Sequence, residues 1–83
     1  MKVLYFAWLR ERLNRGEDDV DPPAEVATVA DLIAWLAAND EAAALAMANP
    51  KIIRAAVDTE IVPHDAPIAG AKVVALFPPM TGG

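Results

Sequence analysis

The chain has 83 residues, 55% of them hydrophobic, with a formal net charge of −5 and no cysteine. One small domain is the limit at this length, and the acidic balance argues against nucleic acid and anionic membrane surfaces as partners. Without cysteine there is no disulfide framework, thiolate zinc site or cysteine nucleophile, which fits a reducing cytosol.

The first apolar run, Val3 to Leu9, is short for a signal segment. Nothing in the chain approaches the ~20 apolar residues of a membrane span. The run is aromatic and apolar at both parities, which predicts a central strand covered on both faces. Arg10 to Asn14 predicts a short helical turn ending near Gly16. The acidic Glu17-Asp18-Asp19 reads as a solvated turn and lacks the spaced oxygens and glycine of a calcium loop. Val20 to Val26, interrupted by Pro22 and Pro23, reads as a weak edge strand or a loop.

The period then changes. Thr28 with Asp31 three residues on forms a variant capping box, and Val29, Leu32, Ile33 and Leu36 make one helical stripe. Trp35 falls at the flank of that stripe. Asp40 caps a second, alanine-rich helix to Ala48, stopped by Asn49-Pro50. Lys51 to Val57 predicts a strand, Asp58-Thr59-Glu60 a tight turn and Glu60 to Val62 a short returning arm cut off by Pro63. A turn-rich connection containing Gly70 leads to the last strand, Val73 to Phe77, apolar at both parities.

Two such strands at the chain's ends, with one strong helix between, predict terminal strands side by side at the centre of a sheet. An α+β roll of the β-grasp type satisfies this, with parallel terminal strands and the helix on one face. The domain is expected over 1–77 and an extended tail over 78–83. The face without a helix would keep apolar residues for a partner protein.

The catalytic inventory is nearly empty. His64, between Pro63 and Asp65, reads as ordinary loop surface, and there is no serine. No metal site and no permanently bound cofactor are expected. Gly82-Gly83 is no phosphate loop, because no helix follows it. There remains the α-carboxylate of Gly83. Pro78 and Pro79 stiffen the exit, Met80 and Thr81 extend it, and Gly82 and Gly83 have no Cβ, so a narrow tunnel can close on their backbone. Six residues reach ~20 Å at ~3.3 Å each. A carboxylate with pKa near ~3.5 is ionised and a poor electrophile. It needs activation, most simply as an acyl-adenylate made by another enzyme from ATP. An amine would then give a protein conjugate, and a persulfide a C-terminal thiocarboxylate.

Phe77-Pro78-Pro79-Met80-Thr81-Gly82-Gly83 resembles the closing pattern of the MoaD family, the small sulfur-carrier subunits of molybdopterin synthase. Phe6, Ala7, Arg10 and Glu11 resemble the family's opening motif, Thr28-Val29 with Leu32 its helix entry, and Ala56-Val57-Asp58 its hairpin. Asp58 stands where Asn is usual, and Gly70-Ala71-Lys72-Val73 departs from the family's Gly-Asp-Glu-Val turn.

The resemblance implies a ubiquitin-like β-grasp fold and a sulfur carrier in molybdenum cofactor biosynthesis. It implies an E1-like adenylating enzyme of the MoeB type that uses ATP on Gly83, and a sulfur donor. It also implies a large synthase subunit of the MoaE type, in a heterotetramer, where the thiocarboxylate attacks cyclic pyranopterin monophosphate. The chain is then a co-substrate more than a catalyst, and works in the cytoplasm. The alternatives are a carrier for thiamine synthesis or tRNA thiolation, a conjugating modifier, and a plain interaction domain.

Strand parity puts Leu4, Phe6 and Trp8 on the face of Lys2, which favours solvent. Phe6, Ile61 and Phe77 are the expected apolar docking patch, with Arg10 also at the partner interface. Lys72 pulls the other way, since its parity would assign Val74 and Leu76 to solvent.

Overall fold

The structure is a computed structural model that describes residues 1–79. β1 (Lys2–Tyr5) and β5 (Val73–Phe77) run parallel as neighbours, with Lys2 beside Val73 and Tyr5 beside Leu76. β2 (Glu17–Asp19) flanks β1 and β3 (Arg54–Val57) flanks β5, both antiparallel. β4 (Glu60–Val62) pairs antiparallel with β3, giving a five-stranded sheet ordered β2-β1-β5-β3-β4. α1 (Trp8–Leu13), α2 (Val29–Asn39) and α3 (Glu41–Ala46) complete the fold with a 3-10 turn at Pro50–Ile52. This is the ubiquitin-like β-grasp roll that the two apolar end strands predict. No helix among the described residues is long and apolar enough to cross a membrane.

The helical stripe forms as its spacing requires. Thr28 Oγ1 accepts from Asp31 N at 3.2 Å, and the Asp31 carboxylate accepts from Thr28 N at 3.2 Å, closing the capping box. Val29, Leu32, Ile33 and Leu36 are buried in one cluster with Val3, Tyr5, Ala55, Val74 and Leu76 from the sheet. Trp35 is half-buried at its margin, as the stripe's geometry predicts.

Several boundaries differ from expectation. The first strand stops at Tyr5, because Ala7 takes a positive φ of 55° and turns the chain into α1 at Trp8. Trp8 therefore leaves the strand face, lies half-buried, and carries the Arg12 guanidinium 4.7 Å from its ring centroid. α1 then runs to Leu13, and Asn14 ends it with φ 57°. Glu17-Asp18-Asp19 is a strand rather than a turn, and 20–26 contains none. An edge strand tolerates charge and is protected by it, and Lys2 Nζ meets the Glu17 carboxylate at 3.3 Å. β3 starts at Arg54, three residues later than the apolar pattern suggests, because Pro50–Ile52 winds into the 3-10 turn. β1 is covered on one face only: Val3 and Tyr5 are buried, while Leu4 is half-buried on the other side.

The acidic strand also anchors a polar cluster. The Tyr5 hydroxyl donates to Asp18 at 2.7 Å, and Arg15 Nε donates to both oxygens of that carboxylate at 2.9 Å. Arg15 reaches on to Asp40, whose carboxylate also caps α3 by accepting from Ala42 N at 3.0 Å. Burial pushes the Tyr5 phenol well above its ordinary value, and the Asp18 hydrogen bond and charge push the same way, so Tyr5 remains a donor. One guanidinium thus joins β2 to the α2–α3 junction.

The Arg15 hydrogen bond holds the Asp40 carboxyl below the usual carboxylate range, and the backbone N–H groups of Ala27 and Thr28 do the same for Asp31. Depressed carboxyls contribute stability that is present above the unfolded value of ~3.9 and is lost as pH falls through the folded values. Melting temperature should therefore decline modestly below about pH 4, since both carboxyls remain accessible to solvent. Asp40→Asn should melt lower than the parent at pH 7 and show a shallower acid decline, measured by circular dichroism across a pH series.

Candidate docking face and tail exit

Register fixes what lies on the face opposite the helices. Leu4 pairs with Ala75, Ala75 with Ala56, and Ala56 with Ile61, so one row crosses four strands. Glu17, opposite Leu4, ends the row at the β2 edge. Phe6 N donates to Leu76 O at 3.1 Å and extends the parallel ladder, which sets Phe6 beside Phe77. Phe77 in turn lies opposite Arg54.

Phe6 is 46% exposed and Ile61 73%, while Leu4, Ala56, Ala75 and Phe77 are half-buried. Exposed large apolar side chains over a continuous apolar row mark a surface suited to a partner. Val74 and Leu76 are wholly buried beneath the helices. Lys72 misleads about their parity because it precedes β5, in the bend before the strand.

The structure thus brings Phe6, Phe77 and Ile61 to one face and leaves Arg10 off it. Arg10 is exposed on α1, in a shallow depression of about 500 Å³ lined by Ala7, Glu11, Asn14, Arg15 and Gly16. Its guanidinium lies so close over Gly16 that a Cβ there would come within 3.1 Å of Cζ. Because β1 and β5 run the same way, the chain leaves the sheet at Phe77 beside Phe6 and Ala7. Pro78 and Pro79 follow, each half-buried. The tail residues Met80, Thr81, Gly82 and Gly83 lie outside the described residues.

Ala75 and Arg54 belong to this face without having been singled out in the sequence, and Ala56 stands out there only as part of the hairpin. Alanine carries no exposure signal, and a strand read from Lys51 sets that lysine on the parity of the buried Ile53 and Ala55, which conflicts with Arg54 about which face meets solvent. The hairpin register that reveals all three follows only from the turn at Asp58-Thr59.

His64 has a structural use. Its Nε2 donates to Ile53 O at 2.6 Å and its carbonyl accepts from Ala30 N at 2.9 Å, tying the loop to β3's entry and to α2. Among the described residues no group of three or more His, Asp or Glu side chains is placed to hold a metal ion.

Asp58 is also more than a turn residue. Asp58 and Thr59 take φ of 47° and 77°, the pair of positive values that a two-residue hairpin loop needs. Its Oδ1 accepts from Lys72 N and Val73 N, each at 3.0 Å, so the hairpin holds the start of β5. Asparagine offers the same oxygen and tolerates positive φ. Asp58→Asn should leave unfolding free energy within about 0.5 kcal/mol, whereas Asp58→Ala should cost about 1–2 kcal/mol, both read by urea titration.

Comparison with known proteins gives consistent matches. A model described as the ThiS family matches residues 3–83. The molybdopterin synthase sulfur carrier subunit of Escherichia coli (strain K12) is 40% identical over 83 residues, covering 100% of this chain and 99% of that protein. Among solved structures, SAMP1 from Haloferax volcanii superposes with TM-score 0.68 at 26% identity, covering 100% of this chain and 98% of that one. A putative molybdopterin converting factor, subunit 1, from Pyrococcus furiosus gives 0.70 at 27% identity, with 95% of each chain covered.

Proposed function

The chain belongs to the ThiS family, and from that membership we propose that it is the sulfur carrier subunit of a molybdopterin synthase. The observation that carries this reading is the 40% identity, over the full length, to a protein of that name. The tail sequence supports it, since Phe77-Pro78-Pro79 leads from the central strand into Gly82-Gly83.

On this reading an E1-like enzyme of the MoeB type adenylates Gly83. A carboxylate oxygen attacks the α-phosphorus of ATP and pyrophosphate leaves. A persulfide on a donor protein then attacks the acyl carbon and AMP leaves. A thiol of the donor system cleaves the S–S bond of the resulting acyl disulfide, forming a disulfide with the donor's sulfur and leaving the outer sulfur on Gly83 as the thiocarboxylate. The charged carrier docks on a large subunit of the MoaE type, within a heterotetramer. There the thiocarboxylate sulfur attacks cyclic pyranopterin monophosphate, water cleaves the acyl–sulfur bond and returns Gly83 to a carboxylate, and the two sulfurs of a dithiolene consume two carriers.

The fold's contribution is positional. The face holding Phe6, Phe77 and Ile61 lies at the root of the tail, so docking that face delivers the tip to a fixed depth in a partner. Binding energy from the remote face is thereby used to orient the reacting group.

Two experiments test this reading. Incubation with ATP, the cognate adenylating enzyme and a sulfur donor should replace one oxygen by sulfur at Gly83, seen in the intact mass and located by fragmentation. Deleting Gly82 and Gly83 should abolish that change and stop cofactor synthesis while the thermal melt is retained. Full synthesis by the truncated chain refutes the carrier role. Separately, Phe6→Asp should weaken binding to the large subunit by about tenfold or more, which is ~1.4 kcal/mol, in calorimetric titration. Unchanged affinity in a folded variant removes Phe6 from the interface.

A further inference from the structure

Beside the apolar face, at the β3–β4 edge, lies a cleft of about 340 Å³ lined by Lys51, Ile53, Arg54, Val62, Pro63 and His64. We propose that its basic groups, Lys51 and Arg54 flanked by His64, receive carboxylates of the large synthase subunit and set the register of that partner on the sheet. This rests on the docking reading above and adds the chemistry of the partner's rim.

Three observations carry it. First, the cations are free: among the described residues neither Lys51 nor Arg54 makes an ion pair, whereas Lys2 is paired with Glu17, and Arg15 with Asp18 and Asp40. Second, the grouping runs against the composition. The chain has 12 acidic and 7 basic residues, yet no Asp or Glu lines this cleft. Unneutralised like charges repel, and both side chains are exposed, so the cluster is suited to charge supplied from outside.

Third, the cleft adjoins the apolar face. Arg54 lies opposite Phe77, and Val62 of the cleft follows Ile61 of the row. A central apolar patch with a polar rim is the usual anatomy of a protein interface, and rim charges govern encounter rate and register. Nothing about the cleft suits a small free anion as well. It is shallow, one of its ring nitrogens is already committed to Ile53 O, and apolar residues make half its lining. Carboxylates held on a protein that is already anchored by Phe6, Phe77 and Ile61 lose little further freedom on reaching it.

The test measures association of the full chain with its cognate large subunit, by stopped-flow and calorimetry from low to high salt. The double variant Lys51→Glu/Arg54→Glu should bind about tenfold or more weaker at low salt, mainly through a slower on-rate, with a flattened salt dependence. Lys51→Gln/Arg54→Gln should fall between, which guards against a folding effect of charge reversal. Ile61→Asp should weaken binding at every salt concentration. If both charge variants bind like the parent while Ile61→Asp does not, the cleft plays no part and the docking face stands. If Ile61→Asp also binds like the parent, the docking reading itself fails. If inorganic phosphate at constant ionic strength displaces the subunit from the parent but not from the Gln variant, the cleft is a phosphate site, and the carboxylate assignment is overturned.

Discussion

Parallel pairing of β1 with β5 is the constraint on which the rest depends. It places the first and last strands side by side although the 67 residues 6–72 lie between Tyr5 and Val73 in the chain, so the fold closes only when its two ends meet. Parallel direction then decides where function can sit. Both strands finish at the same end of the sheet, so the exit of the chain at Phe77 is next to Phe6 and Ala7. An antiparallel pairing of the same strands would have put the tail's root at the opposite end from Phe6.

The two faces of this sheet are held to different standards. Beneath the helices, Val3, Tyr5, Val74 and Leu76 are at most 1% exposed, the close packing of a core. On the other face, the row from Leu4 to Ile61 alternates large ends with alanines in the middle. That makes a shallow surface with raised rims, able to seat a complementary ridge. Charge guards the sheet's two edges against pairing with further strands: Glu17 and Asp19 line the β2 edge, and Glu60 stands on β4. An acidic net charge adds repulsion between copies.

What the sequence reveals follows from how local each cause is. The α2 stripe and its cap are legible because periodicity and capping act within one turn. The terminal strands are legible because burial needs apolar residues wherever they end up. The acidic β2 strand is not legible, because its strand character comes from β1 beside it, from Arg15 pairing with Asp18 and from the Tyr5 hydroxyl donating to the same carboxylate, contacts the local sequence pattern does not reveal. Part of the proposed docking face is legible by the same logic. Phe6, Ile61 and Phe77 stand out as large apolar residues with no core to fill, whereas Ala56 and Ala75 are silent until register is known. Arg54 is hidden by the 3-10 turn, whose proline breaks the strand pattern from outside it.

Ala7 shows how the root of the tail is kept in place. A non-glycine residue at φ 55° is strained by about 1–3 kcal/mol, and it persists only if its surroundings over-determine it. Here they do. Phe6 N is bound to Leu76 O on one side and Glu11 N to Ala7 O on the other, while Leu9 and Leu13 of α1 are buried. A relaxed backbone at Ala7 would let the apolar run continue as strand through Trp8 and Leu9, as its composition alone suggests. The bend instead ends the strand at Tyr5, turns Leu9 into the core and leaves Phe6 exposed beside the exit of β5. The strain at one small residue therefore separates the core's use of this apolar run from its use as a surface.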